Sequence, residues 1–142
     1  MARRWQERVA DAYIEVLPPL VKDCEADADW VGAHDLMVMG TLADNYFLAH
    51  VPDEVPARFG RNHFSWRGET YGAPDDGLVL VLPNPWNSER VMYLIAANSG
   101  MQLYRMTERY PREIPQWARF KGGEVVDKGF VERPGFVVTF DE

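Results

Sequence analysis

The sequence predicts an α/β domain built on an open mixed sheet that carries a small β-hairpin insertion. Three observations predict it. Residues 78–82 read Leu-Val-Leu-Val-Leu with no polar alternation, so both faces of that strand are covered. A second apolar run, Leu36, Met37, Val38 and Met39, ends at Gly40-Thr41 and leads into the helix-like segment 42–50, and strand, glycine turn and helix together make a half-unit of such a sheet. Between residues 56 and 73 the pattern changes to short alternating pieces divided by Gly60, Gly68 and Gly72, which marks the insertion.

The elements follow in order. Trp5, Val9, Tyr13 and Val16 recur at spacings of four, four and three, one face of a helix over 3–16 that Pro18-Pro19 ends. Residues 22–30 are acidic and small, with Asp27-Ala28-Asp29 as a turn or helix start before the run 36–39. In the helix over 42–50, Thr41 or Asp44 stands near the first turn and Pro52 limits the end. Only eight residues connect Leu82 to Val91, too few for a crossover helix, so the strands 78–82 and 91–96 form an antiparallel hairpin. A short helix over 102–110 is stopped by Pro111 and Pro115. Residues 117–133, with Gly122-Gly123, read as a loop or a loose hairpin, and Phe136, Val137, Val138, Thr139 and Phe140 as a last strand.

At 142 residues and 46% hydrophobic, the whole chain, 1–142, has the length of a single domain with a real core. Its formal charge of −7, with no basic cluster longer than Arg3-Arg4, repels phosphate backbones and anionic lipid, which argues against nucleic acid and membrane surfaces as partners. Cys24 is the single cysteine, so an internal disulfide and a thiolate-built metal site are both excluded. Glu7, Asp11 and Glu15 interrupt the region where a signal peptide needs an apolar core, and no run reaches membrane-spanning length. The cytoplasm is the default compartment, and the native one stays open.

Connectivity also limits where a site can lie. If the strand 36–39 runs parallel to 91–96, Gly40-Thr41 and Asn98-Ser99-Gly100 meet at the carboxyl end of the sheet, where α/β sheets usually bind ligands. Thr41, Asn45, Asn98 and Ser99 are therefore the ligand-binding candidates, each with an ordinary alternative as a turn or cap residue. Asn84, Pro85 and Asn87, at the opposite end, read as a structural loop whose amides tie to its own backbone. His34, His50 and His63 stand 16 and 13 residues apart, without ligand-type spacing, so neither a metal site nor a cofactor is expected. No Gly-x-Ser-x-Gly elbow is present, no catalytic residue is assigned, and a triad of Ser99, His63 and Asp75 or Asp76 would need an accident of folding. Cys24 lies in acidic surroundings and reads as an inert thiol. Of the five tryptophans, Trp66 and Trp86 are the better candidates for an exposed partner contact.

A glycine turn followed by an asparagine (Gly40, Asn45), a Pro-Asn-Pro-x-Asn loop before a strand (Pro83, Asn84, Pro85, Asn87) and a small turn at its end (Ala97 to Gly100) occur here in one order. With the late Gly135-Phe-Val-Val-Thr-Phe-Asp141, this order resembles a Rossmann-like accessory domain that follows the catalytic α/β-hydrolase or esterase domain in some bacterial multidomain proteins, with a related layout in archaeal surface-layer domains. The match spans about residues 1–100 and 134–141. It implies a Rossmann-like three-layer fold without catalytic residues of its own. The family opens with a strand where this chain starts at a helix, so the resemblance also implies a fragment or variant lacking the first strand. An uncovered sheet edge would then recruit a neighbouring catalytic domain or a second copy of the chain.

The expected function is a non-catalytic accessory domain for ligand binding or protein interaction, beside a hydrolase. The alternative is a small stand-alone hydrolase acting through Ser99 or Thr41, which requires an acid or base within hydrogen-bond reach of the nucleophile.

Overall fold

The apolar run at residues 78–82 lies in the longest hairpin of the molecule. A computed structural model of the chain describes residues 2–11, 17–51, 56–108 and 115–131. In it, β5 (Asp76–Asn84) and β6 (Asn87–Ala97) pair antiparallel, as their short connection requires, turning through Pro85-Trp86 alone. On the far side of β6, β1 (Leu36–Thr41) pairs parallel, Leu36 against Met92 and Thr41 against Ala97. On the far side of β5 lies a second antiparallel hairpin, β7 (Trp117–Lys121) and β8 (Glu124–Gly129). The sheet order is β1-β6-β5-β7-β8. A separate antiparallel ribbon of three short strands, β2 (Ala57–Phe59), β3 (Phe64–Trp66) and β4 (Glu69–Tyr71), forms the insertion.

The α/β expectation, and with it the Rossmann-like three-layer arrangement, is corrected here. The described residues form a mixed five-stranded sheet and an antiparallel three-stranded sheet, with three short α-helices and little helical layering. The decisive departure follows β1. Segment 42–50 is no crossover helix: Asp44 N and Asn45 N both turn back to the Thr41 carbonyl, and only a 3-10 turn, Tyr46–His50, follows. Asn45 explains the break, because its Oδ1 accepts from Phe47 N at 2.9 Å while its Nδ2 donates to the Met39 carbonyl, contacts that compete with a continuing helix. The path from β1 to its parallel partner β6 then runs through ribbon and hairpin rather than through a helix.

Residues 117–129 are likewise an ordered hairpin within the main sheet, turned by Gly122 and Gly123 at φ of 59° and 90°. The first helix, α1, covers Ala2–Val9; its expected continuation through 12–16 and the expected last strand 136–140 lie outside the described residues. Asp27 caps α2 (Ala28–Ala33) by accepting from Trp30 N, and α3 spans Gly100–Glu108.

Side-chain alternation along the strands divides the core between the two sheet faces. Leu78, Leu80, Leu82, Met92 and Leu94 face the ribbon, α2 and the turn after β1, where Phe47, Phe64 and Trp66 close the layer. Val79, Ile95, Ala118 and Phe120 face α1 and α3, which contribute Trp5, Leu103 and Met106. Both faces of β5 are thus covered, which is why its sequence shows no polar alternation.

Candidate functional site

The parallel register of β1 and β6 brings the two small turns together at the carboxyl end of the sheet. Leu42 N donates to the Ala97 carbonyl at 3.1 Å, so the segments after Thr41 and after Ala97 leave the sheet side by side. Their side chains then take separate partners. Thr41 Oγ1 donates to Asp44 Oδ2 at 2.8 Å. Asn45 folds over Gly40 so closely that a Cβ there would meet its Nδ2 at 2.5 Å. Asn98 Nδ2 donates to the carbonyls of Tyr71 and Ala73, and Ser99 Oγ donates to the Pro74 carbonyl at 2.7 Å while accepting from Gln102 N. Ser99 is therefore the N-cap of α3, and Asn98 and Ser99 together strap the 71–76 segment onto the sheet end.

An ion pair lies beside this strap. Asp76, 4% exposed, accepts from Ala73 N at 2.8 Å and from Lys121 Nζ at 3.1 Å, and Lys121 also pairs with Asp75 at 2.8 Å. The hydrogen bond from Lys121 holds the Asp75 carboxyl below its ordinary range. The Lys121 ammonium is raised by Asp75 first and Asp76 second. Across the ribbon, the hydrogen bond to Glu69 raises the Tyr71 hydroxyl, and the Arg119 guanidinium lies over the Tyr71 ring.

Two residues at this end were missed by sequence reasoning. Lys121 stands 45 residues from Asp76 and joins it only through the pairing of β7 with β5. Gln102 is 1% exposed, and neither amide atom has a hydrogen-bond partner among the described residues. A signal for Gln102 existed: Ser99-Gly-Met-Gln102 is a capping-box pattern, though only its serine half is made.

At the opposite end, the Pro-Asn-Pro-x-Asn loop is anchored to α2. Asn84 Nδ2 donates to the carbonyls of Val31 and His34 at 2.7 and 3.1 Å, and its Oδ1 accepts from Trp86 N. Asn87 Nδ2 donates to the Gly32 carbonyl and its Oδ1 accepts from Glu89 N, with Pro85 completing the turn. His34 belongs to this end, stacked on Trp30, whereas His63 packs against Gly60 in the ribbon. The side chain of His50 is not among those described. Ser99 Oγ is thus engaged on both sides by backbone groups, and Asp76 by Ala73 N and Lys121, rather than by a histidine.

Trp66 is 2% exposed and packs on Trp117, which removes it as an exposed contact, while Trp86 lies edge-on against Phe47. Among the described residues no three His, Cys, Asp or Glu side chains are grouped to hold a metal, and no helix is long and apolar enough to cross a membrane.

The remaining surface feature is the β1 side of the sheet. β1 is an edge strand among the described residues. Exposed apolar side chains stand beside it: Met37 on the strand, Val91 in β6 one residue before the Leu36–Met92 pair, and Tyr46 in the turn that follows, whose N–H donates to the Asp23 carboxylate. No family model, curated protein or solved structure matches this chain.

Proposed function

We propose that the chain is a non-catalytic accessory domain that works by docking through the β1 edge, onto a hydrolase-type catalytic domain or a second copy of itself. The observation that carries this reading is the exposed apolar side chains beside a strand edge that no described residue pairs, with Met37 47% exposed. A free edge offers a row of backbone donors and acceptors for an added strand, and apolar side chains beside it supply the burial that stabilises the addition. The commitment of Thr41, Asn45, Asn98 and Ser99 to backbone and neighbouring groups supports assigning them a scaffolding role. The resemblance of the loop order to that of hydrolase accessory domains supports the choice of partner.

Light scattering across a concentration series, together with hydrogen exchange, tests the reading. Association that disappears in Met37→Lys, with β1 amides that exchange fast in the dilute chain and slowly in the associated one, is the expected result. A strict monomer whose β1 amides are as protected as those of β5 would overturn it, because the edge would then have no place for another strand.

A further inference from the structure

Resting on that docking reading, we infer that the partner presents carboxylate side chains to the groove between α1 and α3, next to the β1 edge. The groove has a volume of about 220 Å³ and is lined by Arg4, Trp5, Arg8, Tyr104, Thr107 and Glu108. Trp5 connects it to the edge strand, since its Nε1 donates to the Met37 sulfur at 2.7 Å. Charge singles out this face. Two arginines, Arg4 and Arg8, line the groove against one glutamate, Glu108, in a chain whose formal charge is −7. A locally positive surface on an acidic protein attracts acidic partners.

The composition fits a protein partner. Arginine, tyrosine and methionine are the residue types enriched at the centres of interfaces, and here Arg4, Arg8, Tyr104 and Met37 are exposed on adjoining elements. Arg4 already holds an internal carboxylate: its Nη1 lies 2.8 Å from Glu108 Oε1, with both side chains partly exposed. Arg8 Nη1 donates to the Thr107 carbonyl at the end of α3, which fixes the guanidinium at the groove wall. Each guanidinium has five N–H donors, so these contacts leave donors for a further carboxylate. Glu108 thus acts as a stand-in that an incoming Asp or Glu displaces or joins.

Fluorescence anisotropy with a labelled (Glu-Leu)4 peptide tests this, beside (Gln-Leu)4 and (Lys-Leu)4 controls and anionic phosphatidylglycerol vesicles. The acidic peptide should bind best and weaken with added salt. Arg4→Glu should weaken it by about tenfold or more, the loss of one close charge-assisted contact. Glu108→Gln should strengthen it severalfold, a gain that misfolding cannot produce. Equal binding of the three peptides, preference for the vesicles, or a Glu108→Gln variant that binds no better would overturn the inference. Loss of association in Met37→Lys alongside an acidic peptide indifferent to Arg4→Glu would leave the edge-docking reading standing and remove the acidic partner. The converse result would remove the edge and keep the groove.

Discussion

Replacing Asn84 with alanine is the most informative perturbation of this fold. The side chain is 1% exposed and makes three hydrogen bonds, two from Nδ2 to the Val31 and His34 carbonyls and one into Oδ1 from Trp86 N. At about 1 kcal/mol net for each bond, and with the cost of leaving carbonyls of α2 and its C-terminal residue unpaired on top, the loss is about 3 kcal/mol or more. In urea this lowers the midpoint by about 1 to 2 M without changing the slope, because the surface exposed on unfolding is the same. Asn84→Asp sharpens the test. It keeps an acceptor for Trp86 N but sets a carboxylate against two carbonyl oxygens, so it should be at least as damaging at neutral pH. The burial raises the folded pKa of that introduced carboxyl, so relative to the native chain the variant should recover as pH falls and the protonated group donates once. A loss below about 1 kcal/mol in both variants, or an Asp variant that gains nothing in acid, would refute the assignment of Asn84 as the anchor between the hairpin and α2.

Gln102→Met keeps length while removing two buried amide atoms that have no partner among the described residues, so it should raise stability by about 1 kcal/mol or more, read from chemical denaturation; a clear loss would mean that the amide is paired in solution. Gly40→Ala places a Cβ 2.5 Å from Asn45 Nδ2 and displaces that side chain from Phe47 N and the Met39 carbonyl, a cost of about 2 kcal/mol that a melt would detect and a neutral result would refute. Tyr71 and Lys121 both titrate above their ordinary values when folded, so their contributions are complete below about pH 10 and are lost as pH rises through the folded values. Thermal melts should therefore fall on the alkaline side, less steeply in Lys121→Met. Asp75 is shifted the other way, and its contribution, present above the ordinary carboxylate value near 4, disappears as pH falls through the lower folded one; Asp75→Asn should flatten that acid limb.

What the sequence revealed depended on how local the cause was. The β5–β6 hairpin was legible because its apolar runs are joined by a connection too short for a crossover, and β1, once parallel to β6, puts both small turns at one end. The segment after β1 was misread because its apolar residues, Leu42, Phe47 and Leu48, suit a helix face, whereas the side chain of Asn45 captures the backbone into a 3-10 turn. That misreading, together with the loop reading of 117–129, produced the wrong fold class, since without a helix between β1 and β6 the sheet has little helical layering. The β7–β8 hairpin was obscured by charge: β8 is a polar edge strand, and only β7, with Trp117, Ala118 and Phe120 buried, reports the core. At the candidate site, Thr41, Asn45, Asn98 and Ser99 could be put at one end, but their commitments to Asp44, Phe47, Ala73 and Pro74 depend on how the ribbon and turns fold back.

The parallel pairing of β1 has a consequence for the order in which the chain assembles. The two hairpins close over turns of two residues, whereas Leu36 meets Met92 only after more than fifty intervening residues have been organised. Loop-closure entropy therefore favours β5, β6, β7 and β8 as the early sheet and β1 as a late arrival. Asn84 and Asn87, by holding the Val31, Gly32 and His34 carbonyls at the hairpin tip, shorten the remaining closure to the single residue Asp35 between His34 and Leu36. A buried anchor in a proline loop thereby sets how quickly the newborn chain hides the apolar stripe of its hairpin, and how long that stripe is open to aggregation.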